Sequence, residues 1–245
     1  MKNSFVGMLL TICLLSMYSC GIIGSNDNDD NSVNFTDGIS DDVWEFMSED
    51  LKETVEVELG VPVNRGENPP NINEIFETPV GAELVFLIKP FELLSSTVPS
   101  DAGHVPRTFN DLYAKFSNQD MSSLTIDIDL THRNSPPIAG TGGFIVGENN
   151  LFTIFGPLVQ RNDSYEVQIV HILSGRLSSD GITDLSLGIV MIENDGDPSA
   201  IPNEAGRHFI DKEKISELSS WPESSSNAGI QELSSGTLTS NVVPL

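Results

Sequence analysis

Cys20 is the residue whose type and position point most directly to a chemical reaction. It follows an apolar stretch that runs from Phe5 to Met17, which is itself preceded by one positive charge at Lys2. This layout is typical of a secretory signal peptide, because the apolar stretch is shorter than the roughly 20 residues that span a bilayer. We therefore expect residues 1–19 to be a signal peptide.

The residues around Cys20 resemble the lipobox of bacterial lipoproteins. The sequence reads Met17-Tyr18-Ser19-Cys20-Gly21, a looser form that lipoproteins of the Bacteroidetes tolerate. The resemblance implies that the Cys20 thiol receives a diacylglycerol and that its new amino group is acylated, for example with palmitate. Such an anchor holds a chain stably in a membrane. The alternative is ordinary secretion after cleavage near Ser19, with Cys20 incidental.

An acidic segment follows the cysteine closely, at Ser25-Asn26-Asp27-Asn28-Asp29-Asp30. It resembles the signal that sends Bacteroidetes lipoproteins to the outer leaflet of the outer membrane, which implies display at the cell surface. A solvated, flexible tether over residues 20–40 would have the same composition, and the two interpretations are compatible.

The charge and the cysteine positions exclude several classes of function. The chain has 36 acidic and 12 basic residues, for a net charge of −24. Such a surface repels phosphate backbones and anionic headgroups, so we expect no nucleic-acid partner and no membrane contact except through a lipid. Both cysteines, Cys13 and Cys20, precede the folded domain. That domain therefore lacks disulfides, cysteine zinc sites and cysteine nucleophiles.

Few other side chains have the spacing of a catalytic site. The chain has no G-x-S-x-G elbow and no phosphate-binding loop, so we predict neither an enzyme nor a cofactor. Tyr165, Val167, Ile169 and His171 alternate along one face of a predicted strand, which makes them candidate ligand-facing residues. The alternative is that His171 is a hydrogen-bonded residue of the core or its rim.

An acidic loop provides the single weak metal candidate. Glu193, Asp195 and Asp197 alternate after the last clear strand, and oxygen-rich loops of this kind collect calcium. A solvated turn is the alternative interpretation.

The elements that position these residues begin with a helix predicted over residues 41–59. Trp44, Met47, Leu51 and Val55 are spaced three, four and four residues apart, which places them on one helical face. We expect this face to pack against the main domain, and the alternative is a helix that binds a partner.

Residues 60–214 carry the pattern of an antiparallel β domain. Leu124, Ile126, Ile128 and Leu130 alternate with polar residues, and about eight such runs are separated by turn residues. No long helical pattern interrupts them, so the fold class is mainly β, either a single antiparallel barrel like those of lipocalins and calycins or a β-sandwich. Residues 215–245 contain nine serines and no basic residue, which predicts a mobile tail.

Three motifs resemble a group of uncharacterised Bacteroidetes outer-membrane lipoproteins. They are the segments 66–72 (GENPPNI), 116–119 (FSNQ) and 140–144 (GTGGF), and the resemblance covers roughly residues 43–212. It implies an exported all-β domain and assigns neither an activity nor site residues.

Two functions remain open from the sequence. The first is a lipid-anchored, surface-exposed lipoprotein of the outer membrane, whose β domain binds a small hydrophobic or glycan ligand in or at the mouth of a barrel. The alternative is a structural or adhesive interaction module without a ligand cavity. A continuous apolar cavity of about 300–1,000 Å³ would favour the first, and a packed interior would favour the second. Nothing in the sequence indicates the oligomeric state.

Overall fold

The computed structural model of the chain describes residues 33–133, 138–161, 165–198 and 200–222. The predicted signal peptide at residues 1–19, Cys20 and most of the predicted tether lie outside these ranges. Most of the predicted tail, residues 223–245, also lies outside them.

Strands make up most of the described residues, which confirms the prediction of a mainly β chain. The strands are β1 (Phe35–Thr36), β2 (Ile39–Ser40), β3 (Glu67–Asn68), β4 (Leu84–Ile88), β5 (Phe91–Ser96), β6 (Arg107–Phe109), β7 (Leu112–Asp120), β8 (Thr125–His132), β9 (Ile138–Glu148), β10 (Leu151–Arg161), β11 (Glu166–Ser178), β12 (Gly181–Asn194), β13 (Gly206–Asp211) and β14 (Ile215–Ser219). The helices are α1 (Asp41–Trp44), α2 (Glu49–Glu53) and α3 (Ile72–Ile75), with a π-helical turn at Thr54–Glu58 and a 3₁₀ turn at Pro99–Asp101.

The strands from β4 onward pair antiparallel with one another in a closed order. Around this ring the hydrogen-bonded order is β11-β10-β9-β8-β7-β4-β14-β12, and β12 pairs with β11 to complete it. Strand β12 also pairs with β13, which pairs with β5, and β5 pairs with β6. Each of these three strands is continuous in the chain with a strand of the ring. Strand β4 leads into β5 across Pro90, β6 leads into β7, and β13 leads into β14. The ring is therefore a meander of eight long segments, three of which are interrupted.

The inner face of the ring carries the larger hydrophobic cluster. Along β11, Leu173 belongs to this inner cluster, whereas its neighbours Val170 and Ile172 belong to a second cluster on the other face. Every ring strand except β14 contributes to the inner cluster, and along β4, β7 and β8 the contributing residues alternate, as the period of two in a strand requires. The largest fully buried side chains include five phenylalanines of this cluster, namely Phe86, Phe91, Phe116, Phe152 and Phe209.

One end of the ring is covered by α3. Ile72 is buried in the inner cluster, and the Phe76 ring lies 5.3 Å from the Phe86 ring, centroid to centroid. The Gln119 side chain fixes this helix to the end of β7, since its Oε1 accepts from Ile72 N at 2.9 Å. The β5–β6 loop lies at the opposite end of the ring, because a meander alternates its turns.

The N-terminal segment differs from the single helix predicted over residues 41–59. Helix α1 ends at Trp44, and α2 begins at Glu49 after Ser48, whose Oγ accepts from Leu51 N at 3.2 Å. A serine that caps in this way starts a new helix, because its side chain satisfies an amide that would otherwise lack a partner. The predicted apolar stripe nevertheless packs on the main domain.

The outer cluster joins this segment to the ring. Met47, Leu51 and Val55 are buried against outward-facing residues of β9 to β12, such as Phe155 and Val190. The amphipathic pattern therefore reports packing against the chain's own sheet, as such helices usually do.

Both ends of the β domain extend beyond the predicted boundaries. Within the predicted tether, β1 and β2 form a small hairpin in which Ile39 is buried. Within the predicted tail, β14 pairs with β4 and β12 and is part of the ring. Ser216 is fully buried there, and its Oγ donates to the Asp211 carboxylate at 2.7 Å.

Candidate functional site

Cys20, the predicted lipidation site, lies outside the described residues, and its modification stays a prediction. Among the described residues, no helix is long and apolar enough to cross a membrane.

The four candidate ligand-facing residues lie on the β11 side of the ring. Ile169 packs against the inner cluster, so the alternation along β11 turns His171 and Val167 to the same inner face. His171 and Val167 are buried, whereas Ile169 and Tyr165, which immediately precedes β11, are half-buried. The face that Val167, Ile169 and His171 share therefore belongs to the interior of the ring, in the first half of β11.

His171 is a buried imidazole in apolar surroundings. It is 7% exposed and lies in register with Gly156 on β10 and Ile189 on β12. Burial lowers the pKa of His171 from 6.5 to about 4, so the ring is neutral at pH 7. The choice between a ligand-facing histidine and a hydrogen-bonded residue of the core or its rim stays a prediction.

The side chain of Asn194 organises the acidic loop. Asn194 donates from Nδ2 to the carbonyls of Asp197 and Ile201, and its Oδ1 accepts from Asp197 N at 2.7 Å. Among the described residues no group of three or more metal-binding side chains lies close enough to hold an ion. The calcium site at Glu193, Asp195 and Asp197 therefore gains no support from the loop's geometry.

A buried serine–histidine pair lies on the opposite face of the ring. The Ser186 Oγ and the His208 Nε2 are 2.7 Å apart, and the His208 Nδ1 lies 3.0 Å from the Leu59 carbonyl oxygen. Because a carbonyl only accepts, Nδ1 carries the proton and Ser186 donates to Nε2. Burial lowers the pKa of His208, while the hydrogen bond to Leu59 opposes that shift.

This pair has the atoms of a nucleophile and its base but not their accessibility. Ser186 is 2% exposed and His208 is 3% exposed. Leu59 ends the helical segment, so its carbonyl lacks an intrahelical partner, and it accepts from both His208 and Ser95 Oγ. The pair therefore fastens the N-terminal segment to the ring. The sequence did not reveal it, since the contact depends on the register between β12 and β13.

Two open clefts lie on either side of α2, on the outside of the ring. The first has a volume of about 750 Å³ and is lined by Thr36, Asp37, Asp41, Trp44, Glu45, Met47, Ser48, Glu49 and Lys52. The second has a volume of about 400 Å³ and is lined by Asp50, Glu53, Thr54, Glu58, Thr97, Pro99, Pro202, Asn203, Glu204 and Ala205. None of the predicted ligand-facing residues lines either cleft.

The Trp44 ring forms an aromatic wall of the first cleft. Its Nε1 donates to the Thr36 carbonyl at 3.1 Å, which fixes the orientation of the ring. The Lys52 ammonium lies 4.9 Å from the ring centroid and 3.9 Å from a Glu49 carboxylate oxygen. An aromatic face and carboxylates therefore already hold one cation of the chain itself.

Comparisons with known proteins leave the family open. No protein-family model, no curated protein and no solved structure matches this chain.

Proposed function

We propose that the chain is a lipid-anchored lipoprotein of the cell envelope, displayed at the surface, whose folded domain is an interaction module that binds through its outer surface. The observation that carries the interaction-module part of this proposal is the filling of the inner face. Phe86, Phe116 and Phe152 are fully buried there, and their rings form a continuous set of contacts at 5.5 and 6.3 Å between centroids. The clefts around α2 lie outside the ring.

The order of the strands supports a barrel of the lipocalin or calycin type rather than a β-sandwich. Each long segment pairs with the segments before and after it, and the last segment pairs with the first through β14 and β4. An up-and-down meander that closes in this way removes its edge strands. In this proposal, a filled barrel serves as a rigid support for the N-terminal segment.

The anchor and the surface display rest on Cys20 and the acidic segment that follows it. Metabolic labelling with an alkyne analogue of palmitate tests the anchor. We expect label on the wild-type chain and on Cys13→Ala, and none on Cys20→Ala. Label that persists in Cys20→Ala contradicts the anchor. Protease treatment of intact cells tests the display, which is contradicted if only lysed cells lose the protein.

The interaction module is tested by photo-cross-linking on intact cells. Val57 is 73% exposed on the π-helical turn beside the clefts, and Val80 is 91% exposed before β4. With benzoylphenylalanine at position 57, we expect a discrete cross-linked product, and with the same probe at position 80 we expect none. Products at position 80 alone, or at neither position, contradict binding through the N-terminal segment.

A second candidate function is a small ligand inside the ring near His171. The observation that favours it is the neutral His171 imidazole, which is 7% exposed on the inner face beside Gly156, a residue with no side chain. A ligand with an apolar body and one hydrogen-bonding group would suit this position. Native mass spectrometry of the chain purified from its own membranes tests this candidate. It predicts an added mass that is lost in His171→Leu, whereas a module with a filled ring predicts no added mass.

A further inference from the structure

The carboxylates of the N-terminal segment are concentrated around α2. Residues 33–61 contain nine acidic residues and one basic residue, Lys52. Asp37, Asp41, Glu45 and Glu49 line the first cleft, whereas Asp50, Glu53, Glu58 and Glu204 line the second. We call these two clefts and the helix between them the acidic face.

Most of these carboxylates have no cation beside them. Arg65 bonds Glu56 at 2.6 Å and lies 3.9 Å from Asp37, and Lys52 lies 3.9 Å from Glu49. Among the residues that the structure describes, the other carboxylates that line the two clefts form no ion pair. Because like charges this close repel one another, a cationic partner lowers the electrostatic energy of this surface.

The position of Lys52 indicates how a cation is held. Its ammonium lies over the face of Trp44, the arrangement in which an aromatic quadrupole attracts a positive charge. The Lys52 side chain is 27% exposed, and its ion pair with Glu49 is long, at 3.9 Å, so its exchange for another cation breaks no short ion pair. A cation from outside can then take its place.

We infer that the acidic face binds a basic peptide segment of a partner protein, with a lysine or arginine side chain over Trp44 in place of Lys52. This inference rests on the proposed function, because it names the chemistry of the partner that the outer surface takes. The ligand is a peptide rather than a single small cation because the carboxylates extend along both sides of α2. A single alkylammonium ion would reach only those beside Trp44.

Two other cationic ligands fit the geometry less well. A metal ion needs several ligands at bonding distance, and no such group occurs among the described residues. A small amine would leave most of the first cleft, at about 750 Å³, unfilled. A small amine, butylammonium, and a metal ion, calcium, are therefore tested as competing ligands.

The test measures the anisotropy of a fluorescein-labelled peptide on the full chain in mild detergent. The probe is a twelve-residue peptide of repeated Lys-Gly-Ser, and the matched control has Glu in place of Lys. We expect saturable binding of the lysine peptide alone, weakened at least tenfold between 50 and 300 mM salt by screening. No binding, equal binding of the Glu peptide, or equally tight binding of butylammonium or calcium overturns the inference.

Substitutions in and outside the clefts identify the residues that the peptide contacts. Trp44→Leu is expected to weaken binding about fivefold, the size of one cation–π contact. Glu45 and Glu49 are exposed, so Glu45→Gln/Glu49→Gln keeps the fold and is expected to weaken binding by a similar factor. Lys52→Met is expected to strengthen binding about threefold, because it vacates the ring and removes a like charge. Lys89→Met and Asp180→Asn, outside both clefts, are the matched charge controls.

Two outcomes contradict a specific site. The first is equal weakening by Asp180→Asn and by the Glu45→Gln/Glu49→Gln pair, which indicates non-specific attraction by the net charge. The second is a change in Lys52→Met no larger than in Lys89→Met. In a Trp221→Phe background, Trp44 is the single remaining tryptophan, and its emission must change on peptide binding.

Failure of this inference is distinguishable from failure of the proposed function. If the probe at position 57 still captures a partner on cells while the lysine peptide does not bind, the module stands and its partner is not a basic peptide. If neither a cross-linked product at position 57 nor binding of the lysine peptide is observed, both the interaction module and the basic-peptide partner are contradicted.

Discussion

The Ser186 hydroxyl and the His208 imidazole form a 2.7 Å hydrogen bond beneath the end of the N-terminal helical segment. Through the other ring nitrogen, His208 reaches the carbonyl of Leu59, which is 149 positions away in sequence. This chain of two hydrogen bonds ties the segment that carries the acidic face to β12 and β13. The orientation of that face therefore depends on a buried polar contact as well as on the outer hydrophobic cluster.

Removal of the Ser186 hydroxyl is expected to destabilise the fold. In Ser186→Ala the His208 Nε2 remains buried without a donor, and such a group costs about 1–3 kcal/mol. Urea unfolding followed by circular dichroism measures the change in the free energy of unfolding. Ser179→Ala, in the exposed β11–β12 turn, is the control and should change it by less than about 0.5 kcal/mol. Equal effects of the two substitutions would contradict the role of this contact.

The buried His171 predicts a specific loss of stability in acid. Its pKa is lowered to about 4 in the folded chain, whereas an unfolded histidine titrates near 6.5, so the unfolded state binds more protons between these values. Stability therefore falls as the pH drops from 6.5 to 4, by about 2–3 kcal/mol from this group. Urea unfolding at several pH values measures it.

His171→Leu isolates that contribution from those of other buried groups. Burial lowers the pKa of His208 and raises that of Asp211, so the wild-type profile is a sum of several titrations. From pH 6.5 to 4, the free energy of unfolding of the wild type should fall steadily relative to that of His171→Leu. A constant difference over this range would show that His171 is not desolvated.

Much of the strand pattern could be predicted from the sequence, because a half-buried strand must alternate. The run from Leu124 to Leu130 predicts a strand, and β8 (Thr125–His132) places Ile126, Ile128 and Leu130 in the inner cluster. The helix over 41–59 was predicted as one element because its stripe keeps a helical period across Ser48. The break there depends on a side-chain cap, and serine inside a helix and serine at its start look alike in a sequence.

The site was harder to predict, because it depends on neighbours far apart in the chain. Trp44 was recognised as part of an apolar stripe, but the cation that lies over it comes from two turns further along. The inward position of His171 followed from alternation, whereas its surroundings depend on which residues the adjacent strands place beside it. Gly156, in register with His171, offers no side chain at all.

The ion pair between Asp101 and Arg207 is expected to stabilise the β5–β6 loop against β13. Arg207 Nε donates to the Asp101 carboxylate at 2.7 Å, and both side chains are largely buried. Burial alone would raise the pKa of Asp101, but hydrogen bonds from Arg207 and Ser96 outweigh it and hold the pKa below 3.8. Asp101→Asn is therefore expected to lower the free energy of unfolding by about 1–3 kcal/mol at pH 7.

The pH dependence of that variant distinguishes the ion pair from a packing effect. A carboxylate with a lowered pKa stabilises the fold above the unfolded value of 3.8, and this contribution is lost as the pH falls through the folded value. The difference between wild type and Asp101→Asn should shrink below pH 3.8. Urea unfolding at pH 7 and pH 3 measures it, with Asp180→Asn as the exposed control. A difference that stays constant would exclude the charge as its source.

Truncation of Phe86 tests whether the ring is filled, on which the choice between the two functions depends. The Phe86 ring lies between those of Phe76 and Phe116, at centroid distances of 5.3 and 5.5 Å. In a close-packed interior, Phe86→Ala leaves a cavity and is expected to cost about 3–5 kcal/mol, measured by urea unfolding. Val80→Ala, at a highly exposed position, should cost less than about 0.5 kcal/mol. If Phe86→Ala costs no more than this control, the phenylalanine borders a space that a ligand occupies, and the small-ligand function displaces the interaction module.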